Sequence, residues 1–90
     1  MSIPATDLAT IETLLATADG ARAGVQALRE LFPRLPVTRC DASDVDTETA
    51  FRDWPHLSLF LVDGADHCWK LTTDPERATG VVVAAARGLG

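Results

Sequence analysis

Residues 57–72 read LSLFLVDGADHCWKLT and predict a β-hairpin. Residues 57–62 are rich in apolar side chains and form the first strand. A turn follows over residues 63–66, which read DGAD. Residues 67–72 then return as the second strand. The hairpin therefore places two adjacent antiparallel strands in the second half of the chain.

Two registers of this hairpin differ in the side chains that they bring together. A two-residue turn would pair Leu61 with Cys68, whereas a three-residue turn pairs Leu61 with Trp69. The longer turn also pairs Leu59 with Leu71. A slip of one residue moves every side chain to the other face, so the apolar pattern favours the three-residue turn. One face then carries Leu57, Leu59, Leu61, Trp69 and Leu71, and the other carries Phe60, Val62, Cys68, Lys70 and Thr72.

A helix is predicted to follow the hairpin and to cover its Leu/Trp face. Thr73 and Glu76 have the spacing of a helix capping box, and Pro75 lies where the first turn has no need of its N–H. Gly80 is small enough for a close approach to the sheet, and Gly88 ends the helix. A narrow apolar stripe would face the strands, made of Ala78, Val81, Val82, Ala85 and Leu89.

The first half of the chain predicts two helices and one strand. Apolar residues recur at helical spacing from Leu8 to Ala18, and again from Val25 to Phe32, with Asp19-Gly20 between them. Residues 35–40 form a strand, and Pro36 predicts that it lies at a sheet edge or starts irregularly. The order ααβββα predicts a two-layer α+β fold. Residues 1–90 would form one domain, a three-stranded antiparallel sheet with its helices on one face.

Composition excludes several classes of function. The net charge of −5 is concentrated in residues 41–53, which hold five acids and one base. Seven of the eight basic residues are arginines, but they are scattered, so nucleic acid is not an expected partner. No apolar run approaches the roughly 20 residues of a membrane span. The N-terminus has no signal-peptide pattern, so a cytoplasmic protein without a membrane partner is predicted.

The two cysteines raise the question of a metal site. Cys40 and Cys68 with His67 would offer soft ligands, but the chain has no CxxC pair. Adjacent strand residues point to opposite faces, so His67 and Cys68 are not expected to share an ion. A disulfide is also disfavoured if the second strand lies between the first and the third, because the thiols would then be about 9.6 Å apart. Direct pairing of the first and third strands would remove this objection. A thiol-based metal or cluster carrier using Cys40 and Cys68 stays open as the alternative function.

The acidic segment resembles a calcium loop only at its start. Asp44, Asp46 and Glu48 alternate like the first EF-hand ligands, but Thr49 and Pro55 stand where the loop requires Gly and Glu. We expect either a solvated loop or a contact surface for a basic partner. No phosphate-binding or nucleophile motif is present, so the chain predicts a protein that is not an enzyme and needs no cofactor.

The uncovered face of the sheet is the predicted contact surface. It would leave Phe60 and Val62 facing water beside Cys68, and exposed apolar sheet surface often marks an interface. The alternative interpretations are a single exposed apolar pair, which is ordinary on protein surfaces, and burial of this face by the first two helices. We expect a non-enzymatic accessory protein with an unidentified protein partner, or a homodimer through this face. Asp44, Asp46 and Glu48 would add an electrostatic rim.

Three segments carry a resemblance to a known group of proteins. Residues 37–44 read VTRCDASD, residues 59–63 read LFLVD, and residues 67–75 read HCWKLTTDP. Together they resemble a family of small uncharacterised proteins encoded near nitrogen-fixation genes in diazotrophic proteobacteria. The resemblance implies a cytoplasmic bacterial accessory protein of nitrogen fixation. It assigns no catalytic role to Cys40 or Cys68.

Overall fold

The computed structural model describes residues 3–41, 49–64 and 70–85 of the chain. It is an α+β fold, as predicted, with two helices and a five-stranded mixed sheet. None of the helices in the described ranges is long and apolar enough to cross a membrane. The elements are α1 (Ala5–Thr17), α2 (Ala21–Leu31), β1 (Val37–Asp41), β2 (Arg52–Asp53), β3 (Leu57–Asp63), β4 (Lys70–Thr72) and β5 (Gly80–Ala85).

The two N-terminal helices confirm the prediction from apolar spacing. In α1, Leu8, Ile11 and Leu15 are buried, and they recur three and four residues apart. In α2, Val25 and Leu28 are buried on the side that faces the sheet. Both helices pack on one face of the sheet, where they enclose the larger apolar core.

The sheet differs from the prediction in strand number and in strand direction. Its order is β1-β5-β3-β2. β4 also pairs with β3, at residues 61–63, whereas the short β2 pairs with residues 58–59 of that strand. β5 is antiparallel to β3 but parallel to β1. The prediction of a three-stranded antiparallel sheet was therefore wrong in detail. Of the two alternatives predicted for the strand at Pro36, the edge position is confirmed, because β1 lies at one end of this order.

The predicted final helix is replaced by a strand, β5. Val81, Val82 and Val83 are β-branched, and every residue of β5 is buried. A short apolar run of this kind is typical of a strand covered on both faces, and it outweighs the helical spacing. The segment of the predicted capping box, Thr73 to Glu76, forms a turn instead. In it the carboxylate of Asp74 accepts a hydrogen bond from the backbone N–H of Glu76.

The β3–β4 hairpin has a different register from the one predicted. Leu61 lies opposite Thr72, and Val62 lies opposite Leu71. Leu71 therefore shares the face of Val62, and the predicted Leu59–Leu71 pair was wrong. The reason is the length of the connection, since β3 ends at Asp63 and β4 begins at Lys70. Trp69 lies outside the described residues.

The face opposite the helices is buried in the structure. Phe60 and Val62 lie on this face, as the alternation along the strand predicted, together with Val82 and Ala84 of β5. The expectation that they face water was wrong, because Phe60 is 4% exposed and Val62 9% exposed. Three described residues pack against this second cluster: Cys40, Ala50 and Leu71. The central strands are thus covered on both faces.

Candidate functional site

The structure describes only some of the residues that the sequence singled out. Cys68, Asp44, Asp46 and Glu48 lie outside the described residues, so their roles stay predictions. Phe60 belongs to the second apolar cluster and offers no exposed contact. The prediction that Phe60 is exposed to solvent, on which its role as a contact residue depended, is therefore wrong.

Cys40 is half-buried on β1, where it packs against the same cluster as Val82 and Ala84. No group of three or more His, Cys, Asp or Glu side chains is placed to hold a metal ion within the described ranges. This observation leaves residues 42–48 and 65–69 open. The metal-carrier alternative, which needs Cys68, therefore stays a prediction.

Three arginines line a groove between α2 and β1. We call it the α2–β1 groove; it has a volume of about 640 Å³ and is lined by Arg22, Val25, Gln26, Arg29, Glu30, Thr38 and Arg39. Three of these seven residues are arginines and one is an acid. The groove is therefore locally basic in a chain whose net charge is −5.

Helix and strand geometry explain why the three arginines meet. Arg22 and Arg29 are seven residues apart, about two turns, so they share one face of α2. Arg39 lies two residues after Val37, so both side chains point to the same side of β1. Val37 belongs to the core beneath the helices, which places Arg39 on the side that α2 covers.

One of these guanidinium groups is tied to the strand. Arg29 Nη2 donates a hydrogen bond to the carbonyl oxygen of Val37, and the two atoms are 3.0 Å apart. This bond links the last turn of α2 to the start of β1. It holds the Arg29 head group at the sheet edge, so the groove has one fixed positive charge.

The groove arginines have no acidic partner within the part of the chain that the structure describes. The ion pairs found there join Arg52 to Glu12 and Arg77 to Asp74. Arg22 and Arg39 are exposed to solvent. Unpaired guanidinium groups on a fixed scaffold attract carboxylates, which they can bind through two parallel hydrogen bonds. Chemically, the groove is suited to an anionic group.

A second groove lies at the end of the helical layer. It has a volume of about 610 Å³, and its apolar lining includes Ile3, Ile11 and Phe32. Leu31, at the end of α2, also lines it and is 54% exposed. This groove has fewer charged groups, so the α2–β1 groove has the more specific chemistry.

The remaining polar contacts of note hold the fold together. His56 has its Nε2 atom 2.8 Å from the carbonyl oxygen of Leu15. Arg52 pairs with Glu12 and lies over the ring of Phe51. The contact of His56 with Leu15 and that of Arg52 with Glu12 connect α1 with the segment around β2. We therefore assign them a structural role.

Sequence reasoning described the arginines as scattered and missed the groove. The shared helix face of Arg22 and Arg29 was a signal available in the sequence. The third member, Arg39, was beyond reach, because its position beside α2 depends on how β1 joins the sheet. No local pattern in residues 35–40 reveals that placement.

Comparison with known proteins gives one match. A family model described as "Family of unknown function (DUF6129)" matches residues 10–86, which include every described element except the first residues of α1. No curated protein and no solved structure matches the chain.

Proposed function

Since this chain belongs to the DUF6129 family, a family of unknown function, we propose its function from its surface. The protein is a non-enzymatic accessory protein that binds a protein partner through the α2–β1 groove. The observation that carries this proposal is the convergence of Arg22, Arg29 and Arg39, without an acidic partner among the described residues.

The electrostatics of the chain support binding at this groove over other surfaces. A protein with a net charge of −5 repels acidic partners on average, so a basic groove directs them to one place. Charged groups across an interface mainly guide association and fix the register of the partners. The fixed guanidinium of Arg29 and the exposed ones of Arg22 and Arg39 suit this role.

We propose further that the partner belongs to nitrogen fixation in the bacterial cytoplasm. Support for this comes from the resemblance of residues 37–44, 59–63 and 67–75 to small proteins encoded near nitrogen-fixation genes. The first of these segments includes β1, which supplies Arg39 to the groove.

The proposal is tested by affinity capture from a diazotrophic proteobacterium grown with and without fixed nitrogen. The wild type is compared with a double variant, Arg22→Glu and Arg39→Glu. The matched control carries the same change of charge outside the groove, at Arg34→Glu and Arg77→Glu. All four side chains are exposed, so we expect each variant to fold.

We expect a partner that the wild type and the control capture and that the groove variant loses. A partner retained by the groove variant would contradict the role of the groove. A partner lost only by the control would move the contact to the groove near Leu31, which Arg34 lines. Enrichment that does not depend on fixed nitrogen would contradict the nitrogen-fixation part of the proposal.

A further inference from the structure

The outer edge of β1 offers backbone groups as well as charge. β1 and β5 are parallel, with Val37 opposite Val81 and Arg39 opposite Val83. The carbonyl oxygen of Pro36 accepts the N–H of Val81, and the two atoms are 3.0 Å apart. Successive residues of a strand direct their backbone groups alternately to either side. Thr38 therefore bonds to β5, and the backbone groups of Val37 and Arg39 point away from it.

These outward groups have few partners in the described ranges. The carbonyl of Val37 accepts the Arg29 guanidinium. Among the described strands β1 pairs with β5 alone, so the N–H of Val37 and both backbone groups of Arg39, which point away from β5, have no strand partner there. An edge strand with such groups is a template for another strand. The open part of this edge lies directly beside the arginines of the groove.

We infer that the partner contributes an extended segment with acidic residues at every second position, which adds to β1 as a strand. The inference rests on the proposed function, because it specifies the partner of the same groove. In strand addition the main chain supplies affinity, and alternate side chains supply specificity. Here the alternate side chains that face α2 would meet Arg22, Arg29 and Arg39.

The spacing of the charges agrees with this arrangement. Alternate side chains of a strand are about 6.6 Å apart, so three of them span about 13 Å. Arg22 and Arg29 are separated by about 10.5 Å along α2, since the helix rises 1.5 Å per residue. A segment with two or three alternating acids thus covers the length of the groove. Acids at adjacent positions would leave half of them on the opposite face.

The partner segment is a strand of another protein and not a second copy of this chain's own β1. If two copies of β1 paired, each Arg39 would be brought towards the arginines of the other copy. Like charges placed across an interface oppose association. Charge complementarity therefore favours an acidic segment at this edge.

The test uses the full chain and a short synthetic peptide with glutamates at every second position. Binding is measured by calorimetry. Two further peptides carry the same glutamates, but alternate amides are methylated in two complementary sets. Only one set removes the N–H groups that face β1. We expect that set to weaken binding about tenfold for each bond lost, and the other to bind like the parent.

Hydrogen exchange gives a second measurement on the protein itself. Peptide binding should slow exchange of the amide of Arg39, which points outwards, and leave that of Thr38 unchanged, since β5 already protects it. Arg39→Glu should weaken binding at least tenfold. The control variant Arg77→Glu should bind like the wild type, because Arg77 lies outside the groove.

The outcomes separate this inference from the proposed function. Equal effects of the two methylated sets, with binding still lost in Arg39→Glu, would overturn strand addition and leave the groove as an acidic-partner site. Absence of peptide binding, with capture of a partner that depends on the groove, would also overturn the inference alone. Failure of both the peptide and the capture would overturn both. Self-association that Arg39→Glu abolishes would assign the edge to a second copy.

Discussion

Replacing Gly80 with alanine tests the strand pairing that builds the groove. Gly80 is buried at the start of β5, and a Cβ atom there would lie 2.9 Å from the carbonyl oxygen of Pro36. It would also lie 3.1 Å from Pro36 Cβ. The first contact is with backbone, so no side-chain rotation relieves it. The substitution must move β1 away from β5 or distort both.

Two destabilising effects and one stabilising effect determine the expected change in the free energy of unfolding. Overpacking in a well-packed interior costs about 1–3 kcal/mol. The bond between the Val81 N–H and the Pro36 carbonyl contributes about 1 kcal/mol and would be strained. Alanine recovers about 0.4–1 kcal/mol, because it restricts the unfolded chain. We expect Gly80→Ala to lower the free energy of unfolding by about 1–3 kcal/mol.

Chemical denaturation with urea measures this change, and thermal unfolding should show a Tm lower by about 4–8 °C for each kcal/mol. Gly24→Ala is the matched control, since its Cβ would lie 2.7 Å from Leu15 Cδ2, a side-chain methyl. Combining it with Leu15→Ala makes room, so the two costs should be less than additive. Gly80→Ala has no such rescue. Wild-type stability of Gly80→Ala would refute the close β1–β5 pairing.

Three further substitutions test other contacts of the fold. Phe60→Lys should lower the free energy of unfolding by at least roughly 3 kcal/mol, because the site is 4% exposed and cannot solvate a charge; a native circular dichroism spectrum with unchanged stability would contradict this burial. His56→Ala should lower it by about 1 kcal/mol, since the carbonyl of Leu15 loses the His56 bond and keeps only the longer one from the N–H of Ala18, and an unchanged urea midpoint would argue against the bond. Arg52→Ala should change it by less than about 1 kcal/mol, with the difference shrinking at high salt, because the pair with Glu12 is partly exposed; a larger effect that salt does not alter would point to packing.

The elements that could be predicted are those encoded by short-range spacing. Leu8, Ile11 and Leu15 recur at the helical period, and their burial needs only a sheet on one side. Phe60 and Val62 alternate with leucines, so their common face was predictable. Pro36 indicated an edge strand or an irregular strand start, since it cannot donate to a ladder. Each of these inferences depends on neighbours within one element.

The features that were missed depend on partners far away in sequence. Residues 80–85 form a strand because β1 and β3 lie on both sides of them, and the Thr73–Glu76 spacing gave a competing helix signal. The burial of Phe60 depends on residues such as Ala50 and Leu71, which pack across the sheet. The α2–β1 groove was missed for the same reason. Its third arginine reaches α2 only through the parallel pairing of β1 with β5.

The position of β5 has a consequence for how the chain folds. β5 lies between β1 and β3 in the sheet, yet it follows both of them in sequence. While the polypeptide is being synthesised, β1 and β3 are exposed before their common neighbour exists. Pairings between distant segments form slowly, and unpaired strand edges favour aggregation in the meantime. Nascent chains that stop before residue 80 should therefore form α1 and α2 without the complete sheet. They should depend on chaperones to avoid aggregation.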